Sequence, residues 1–173
     1  MKRALALLLL TACASAPPMP PKPVTELPAA AINMLCERLR AEGMTSEVRA
    51  VKETQAIVTP ASLRALAEAS FNTSSIKPEA IEAIIRTPLV PLEVPPQTCI
   101  ARFITTAEAA RANDVMIVAF SSPFANPFAR GQIGTLARIS LGTEASGSIW
   151  YWIPLLNRND RWLAGPPATL SVE

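Results

Sequence analysis

Proline divides this chain into regions that obey different rules. Six prolines fall within residues 17–28 and four more within 88–96. A residue with φ locked near −65° and no N–H interrupts helix interiors and central strands. Residues 14–28 are therefore expected to form an extended tether, which at about 3.1 Å per residue in polyproline II would reach roughly 40 to 45 Å. Residues 29–173 follow as a single domain, long enough to bury a core and short for two.

Ahead of the tether stand Met1-Lys2-Arg3, the apolar residues 4–10, and Leu10-Thr11-Ala12-Cys13. A basic start, a short apolar run and small residues before a cut make a secretory signal, and seven apolar residues are too few to span a bilayer. The Leu10-Thr11-Ala12-Cys13 ending resembles the lipobox of bacterial lipoproteins. The resemblance implies that residues 1–12 are removed and that Cys13 becomes the first residue, carrying diacylglycerol on its sulfur and an acyl chain, such as palmitate, on its amine. Each buried methylene is worth about 0.8 kcal/mol, so two or more chains anchor stably without a transmembrane helix. In such lipoproteins an aspartate after the cysteine tends to retain the protein in the inner membrane; Ala14 here implies the outer membrane, on its periplasmic face. The partners expected are that membrane, through the lipid, and another envelope protein.

Composition narrows the chemistry. Loss of Lys2 and Arg3 would leave 14 basic residues against 14 acidic ones. A neutral chain with no Lys/Arg run lacks the footprint of nucleic-acid binding. The chain has no histidine, which removes Ser-His-Asp and Cys-His catalysis and most zinc sites. Asp114 and Asp160 are its only aspartates, a poor supply for a calcium or magnesium cage. No catalytic residue, metal or cofactor is assigned. With Cys13 acylated, Cys36 and Cys99 remain for one disulfide in an oxidising compartment. Closing that loop would stabilise the fold by about 4 kcal/mol in the chain-entropy view.

Periodicity predicts α+β, with N-terminal helices packed on a C-terminal antiparallel sheet. Ile32, Leu35, Cys36 and Leu39 make a helical stripe between Pro28 and Gly43. Residues 48–58 read as a strand, and Thr59-Pro60 starts a second helix bearing Leu63, Leu66 and Ala67. Pro78 starts a third helix with Ile81, Ile84 and Ile85 inward, ended by the prolines from Pro88 onward. Residues 99–105 and 115–121 read as strands around a capping box at Thr105 and Glu108. Ile133, Thr135, Ala137, Ile139 and Leu141 alternate to one face, with Arg138 and Ser140 on the other. Residues 148–156 form the next strand, and residues 157–160 turn into Arg161-Trp162-Leu163. This ending is also compatible with the curved sheet of the NTF2-like superfamily, a resemblance over about forty residues that implies a sheet and no activity.

Three groups of residues are candidates for function. Trp150 and Trp152 share one face of a strand with Tyr151 on the other; they either pack under helices or form an aromatic platform for a sugar, a peptide or a partner protein. Residues 120–131 place Phe120, Phe124 and Phe128 four apart with Pro123 and Pro127 between; this loop plugs the core or presents a stiff binding surface, with Arg130 beside it for a carboxylate or phosphate. Ser74-Ser75-Ile76-Lys77 matches Ser-x-x-Lys, but Pro78 starts the helix after the lysine rather than before the serine, so the amine does not sit one turn from the hydroxyl. The expected role is a non-catalytic binding or accessory module, presenting Phe124, Phe128, Arg130, Trp150 and Trp152. The alternative is a small-molecule or glycan-binding domain, or a weak hydrolase, with a pocket between sheet and helices where Arg138, Glu144 or Tyr151 meet a tryptophan.

Overall fold

The computed structural model describes residues 25–44, 48–70, 78–97, 100, 102–112, 115–141 and 147–172. The signal, Cys13, most of the tether, Ser74-Ser75-Ile76-Lys77, Cys99 and Glu144 lie outside them. Four helices and eight strands follow in the order α1 (Ala29–Ala41), β1 (Val48–Val51), α2 (Pro60–Ala69), α3 (Pro78–Arg86), β2 (Arg102–Ile104), α4 (Thr106–Ala109), β3 (Met116–Phe120), β4 (Phe124–Ala125), β5 (Ile133–Leu141), β6 (Ile149–Arg158), β7 (Arg161–Ala164) and β8 (Ala168–Leu170).

Local chemistry explains the boundaries. Pro28 occupies the N-cap position of α1, and Gly43 leaves the helix at φ +73°, a left-handed conformation that residues with a side chain rarely adopt. The Thr59 and Thr105 hydroxyls each accept from the backbone N–H three residues on, Ser62 and Glu108, opening α2 and α4. Asn159 and Asp160, at φ 51° and 60°, form the two-residue turn between β6 and β7; their short polar side chains tolerate this left-handed region.

The fold is α+β, as the pattern predicts, but the sheet is mixed rather than antiparallel. Its order is β2-β1-β3-β5-β6-β7, with β4 added to β5 and β8 to β6. β1, from the helical half of the chain, lies parallel between β2 and β3. The connection from β1 to its parallel neighbour β2 passes through α2 and α3, and the one from β2 to β3, which crosses β1, passes through α4. β1 is also shorter than the run 48–58. Beyond Glu53 the backbone turns to the proline-rich segment, where Thr54 N–H donates to the Leu92 carbonyl at 2.9 Å and the Thr54 hydroxyl accepts from Leu92 N–H at 2.8 Å. β7 and β8 form one broken outer strand, interrupted at Gly165, whose N–H donates to the Pro154 carbonyl at 2.9 Å.

Helices cover both faces of this sheet. Ile32, Leu35, Cys36 and Leu39 of α1 pack with Ala50, Val118, Ala137, Tyr151 and Ile153 on one face. Leu63 and Leu66 of α2 and Ile81 of α3 pack with Ile117, Leu136, Trp150 and Trp152 on the other. α3 turns only part of its expected face inward: Ile81 is buried and Ile84 half-buried, whereas Ile85 is exposed. Gly134 is fixed by this packing, because a Cβ there would run into the Trp152 ring and stand 2.6 Å from the Ile153 carbonyl oxygen.

A polar clamp fastens α1 to the sheet. The buried Tyr151 hydroxyl donates to Glu42 Oε2 at 2.6 Å, and Arg38 Nε donates to Glu42 Oε1 at 2.6 Å. Burial first, and the Glu42 carboxylate second, push the Tyr151 phenol up from 10.0 to about 12. A phenol raised in the folded state stabilises fully below pH 10 and loses that contribution as pH climbs from 10 to 12. Tyr151 is the only tyrosine in the chain, so alkaline ultraviolet absorbance reads it alone. The midpoint is expected near pH 12, and Glu42→Gln should lower it while leaving it above 10, because burial remains.

Candidate functional site

The expected aromatic surface is not a surface. Phe124 is 7% exposed, Phe128 8%, Trp150 7% and Trp152 4%. The tryptophans face α2, and Phe124 meets Trp152 edge-on with ring centroids 5.2 Å apart. The phenylalanine loop is folded inward by Asn126, whose Oδ1 accepts from Phe128 N–H at 2.9 Å and whose Nδ2 donates to Gln132 Oε1 at 2.8 Å. Asn126 and Phe128 thus form an Asx turn. Of the five residues proposed to present a binding surface, Arg130 is exposed.

A concave site lies instead where helical cover of the α2 face runs out. α2 sits over β8, and α4, a single turn, stands beside β2. Between them opens a cavity of about 510 Å³. Its floor is sheet: Val51 from β1, Ile117 and Ala119 from β3, Arg138 and Ser140 from β5. Its walls are Gln55, Ala56 and Ile57, ahead of α2, and Thr106, Ala109 and Ala110 at α4. The alanines make the room, since larger side chains at 109, 110 and 119 would fill it. Glu108, on the same turn, is held below the usual carboxylate range by hydrogen bonds from the Thr105 backbone N–H, at 2.7 Å, and the Thr105 hydroxyl.

Arg138 is the one charged residue among the described residues of this lining. The Arg138 guanidinium lies 5.7 Å from the Trp150 ring centroid, a cation–π stack that holds the fork in place. Its Nε is buried and has no hydrogen-bond partner among the described residues. Arg49 lies directly across from Ile117, hence on the same face, and its Nε is likewise buried and unpartnered. Arg102 pairs with Arg49 in register. No carboxylate stands among the described lining residues. A half-buried guanidinium in a cavity with no carboxylate among its described lining residues suits an anion.

Of the residues expected around such a pocket, Arg138 lines it and Trp150 lies beneath Arg138. Tyr151 points to the opposite face, committed to Glu42. Cys36 is disulfide-bonded and buried on α1, while Cys99 lies outside the described residues. The pocket's other contributors, Gln55 and α4, were hidden from sequence reasoning, because only the parallel insertion of β1 brings them over Arg138. Buried hydroxyls elsewhere serve packing: Thr54 bonds Ser122 at 2.7 Å, Ser122 donates to the Val90 carbonyl at 2.6 Å, and Thr135 donates to the Ser121 carbonyl at 2.7 Å.

An unpartnered buried donor costs about 1–3 kcal/mol. Arg138→Met keeps the stem and the contact with Trp150 while removing that cost, so the empty protein should unfold at equal or higher urea, by up to about 1 kcal/mol. Equilibrium unfolding followed by tryptophan fluorescence checks this. The chain matches no protein-family model, no curated protein and no solved structure.

Proposed function

We propose that this chain is an exported, lipid-anchored, non-catalytic binding protein of the periplasmic face of the outer membrane, whose domain holds a small organic acid in the cavity over Arg138. The observation that carries the binding role is the Arg138 guanidinium, stacked on Trp150 and lining a cavity that has no carboxylate among its described lining residues. Val51, Ile57, Ile117 and the alanines favour a ligand with a hydrophobic part; the arginine favours a carboxylate at one end. Burial of Phe124, Phe128, Trp150 and Trp152 shifts the balance from an accessory surface toward this pocket. The lipobox resemblance and the proline-rich segment support the anchor and the tether.

The ligand class is tested by calorimetric titration with benzoate and octanoate against benzamide and octanol. The acids should bind and the neutral analogues should not, and Arg138→Met should weaken acid binding about ten- to hundredfold, the worth of a charge-assisted contact. Equal binding of the neutral analogues, or unchanged binding by the variant, overturns it. The anchor is tested by cell fractionation: Cys13→Ala should move the protein out of the outer-membrane fraction, and retention there would exclude acylation of Cys13 as the anchor.

A further inference from the structure

We infer that the tether end of the sheet, on its β5–β7 side, is a docking face for the anionic headgroups of a phospholipid bilayer; this rests on the lipid-anchored reading above. β1, β3 and β6 run in one direction and β5 in the other. The end of β1, the start of β5 and the β6–β7 turn therefore share one end of the sheet. The chain enters at that end. Residues 92–94 run back along the segment just past β1, through Thr54 N–H to the Leu92 carbonyl and Val94 N–H to the Lys52 carbonyl. Residues 25–27 run beside them, the Thr25 carbonyl accepting from Glu93 N–H at 3.3 Å and Leu27 N–H donating to the Glu93 carbonyl at 2.8 Å. Thr25, the first described residue, thus stands at the end that carries the β6–β7 turn.

The apolar surface gathers at this end. Among the described residues, the strongly exposed large hydrophobic side chains are Ile85, Val90, Ile133, Leu141, Leu156 and Leu163. Ile133 at the start of β5, Leu156 and Leu163 flanking the β6–β7 turn, and Val90, whose carbonyl accepts from Ser122 past the end of β3, lie at the tether end. Leu156 and Leu163 are cross-strand partners, 48% and 45% exposed, and line a groove of about 430 Å³ that runs to Arg130. Three exposed arginines ring them: Arg130 at the loop, Arg158 and Arg161 on either side of the turn. Asp160 is the acid among them. Glu26, Glu53 and Glu93 cluster on the β1 side of the same end, which confines the docking face to the β5–β7 side. Exposed leucines ringed by arginines match an interface of acyl chains beneath phosphates, and an acyl anchor on the adjoining tether would hold that interface within reach.

The test uses the acylated protein in vesicles, with Leu163→Cys carrying an environment-sensitive fluorophore and the unsubstituted protein labelled in parallel as the blank. Flotation reports the anchor and the label reports docking. With vesicles containing phosphatidylglycerol the label should shift to the blue and lose access to an aqueous quencher; with phosphatidylcholine alone it should not. Molar salt, or Arg130→Gln with Arg158→Gln and Arg161→Gln, should reverse the shift, each arginine contributing about fivefold. A protein that floats while its label stays hydrated in both vesicles stands off on its tether; docking is then overturned and the anchor retained. A shift that follows protein concentration rather than lipid charge assigns the face to a second copy and overturns the inference. Failure to float overturns the anchor, and docking with it.

Discussion

Burial of β6 on both faces is the constraint from which the rest of the architecture follows. Trp150, Tyr151, Trp152 and Ile153 are four large side chains in succession, and a strand sends alternate ones to opposite faces. No single layer can cover them. Tyr151 and Ile153 need α1, and Trp150 and Trp152 need α2 with the phenylalanine loop. A sheet covered on both faces can also accept parallel neighbours, whose strands are usually buried on both sides. β1 occupies such a place, with Val48 and Ala50 under α1 and Val51 on the α2 side.

The cavity is a consequence of how unevenly that cover is supplied. α1 brings thirteen residues to its face and buries five of them. The opposite face depends on α2, α3 and α4, the last only four residues long. Trp150, Trp152 and Leu170 take up α2, leaving β1, β3 and the middle of β5 under alanines and a loop. Arg138 occupies the boundary. Its neighbour Trp150 supplies an aromatic face for the guanidinium, and nothing among the described residues supplies an acceptor for its Nε. For stability alone an aliphatic residue would serve better there. Arg138 nonetheless lines the cavity, and under the proposed function the part of its guanidinium that reaches the cavity meets an acceptor from outside the chain.

The sequence carried local structure well and long-range pairing poorly. The α1 stripe, the Thr59 and Thr105 caps, the α3 start at Pro78 and the alternation from Ile133 to Leu141 all appear within a residue or two of their expected places, because each is set by side chains within a turn or two of one another. The register of β1 between β2 and β3 is set by partners more than fifty residues away and leaves no local trace. The same distance hid the pocket: Arg138 was visible as the polar side of an alternating strand, but Gln55 and Ala109 reach it only through that pairing. The aromatics deceived for a different reason. Apolar residues in a proline-rich loop read alike whether tucked or displayed, and the deciding groups are the polar side chains Asn126 and Gln132, whose bond turns the loop inward.

If residues before Thr25 tether the domain as proposed, load enters at Thr25, which isolated backbone bridges join to the segment just past β1. The first described residues are not the free end of α1. Thr25 and Leu27 share backbone hydrogen bonds with Glu93, and Glu93 bridges to Glu53 at the end of β1. Force along the proposed tether therefore reaches β1 through a ladder of backbone bonds before it reaches the helix. α1 is then held along its length by its apolar stripe, by the disulfide at Cys36 and, at its far end, by Tyr151 through Glu42. Peeling the helix from the N-terminal side would have to break the Glu93 ladder first, then expose Leu27, Ile32 and Leu35, all buried at 0–1% exposure.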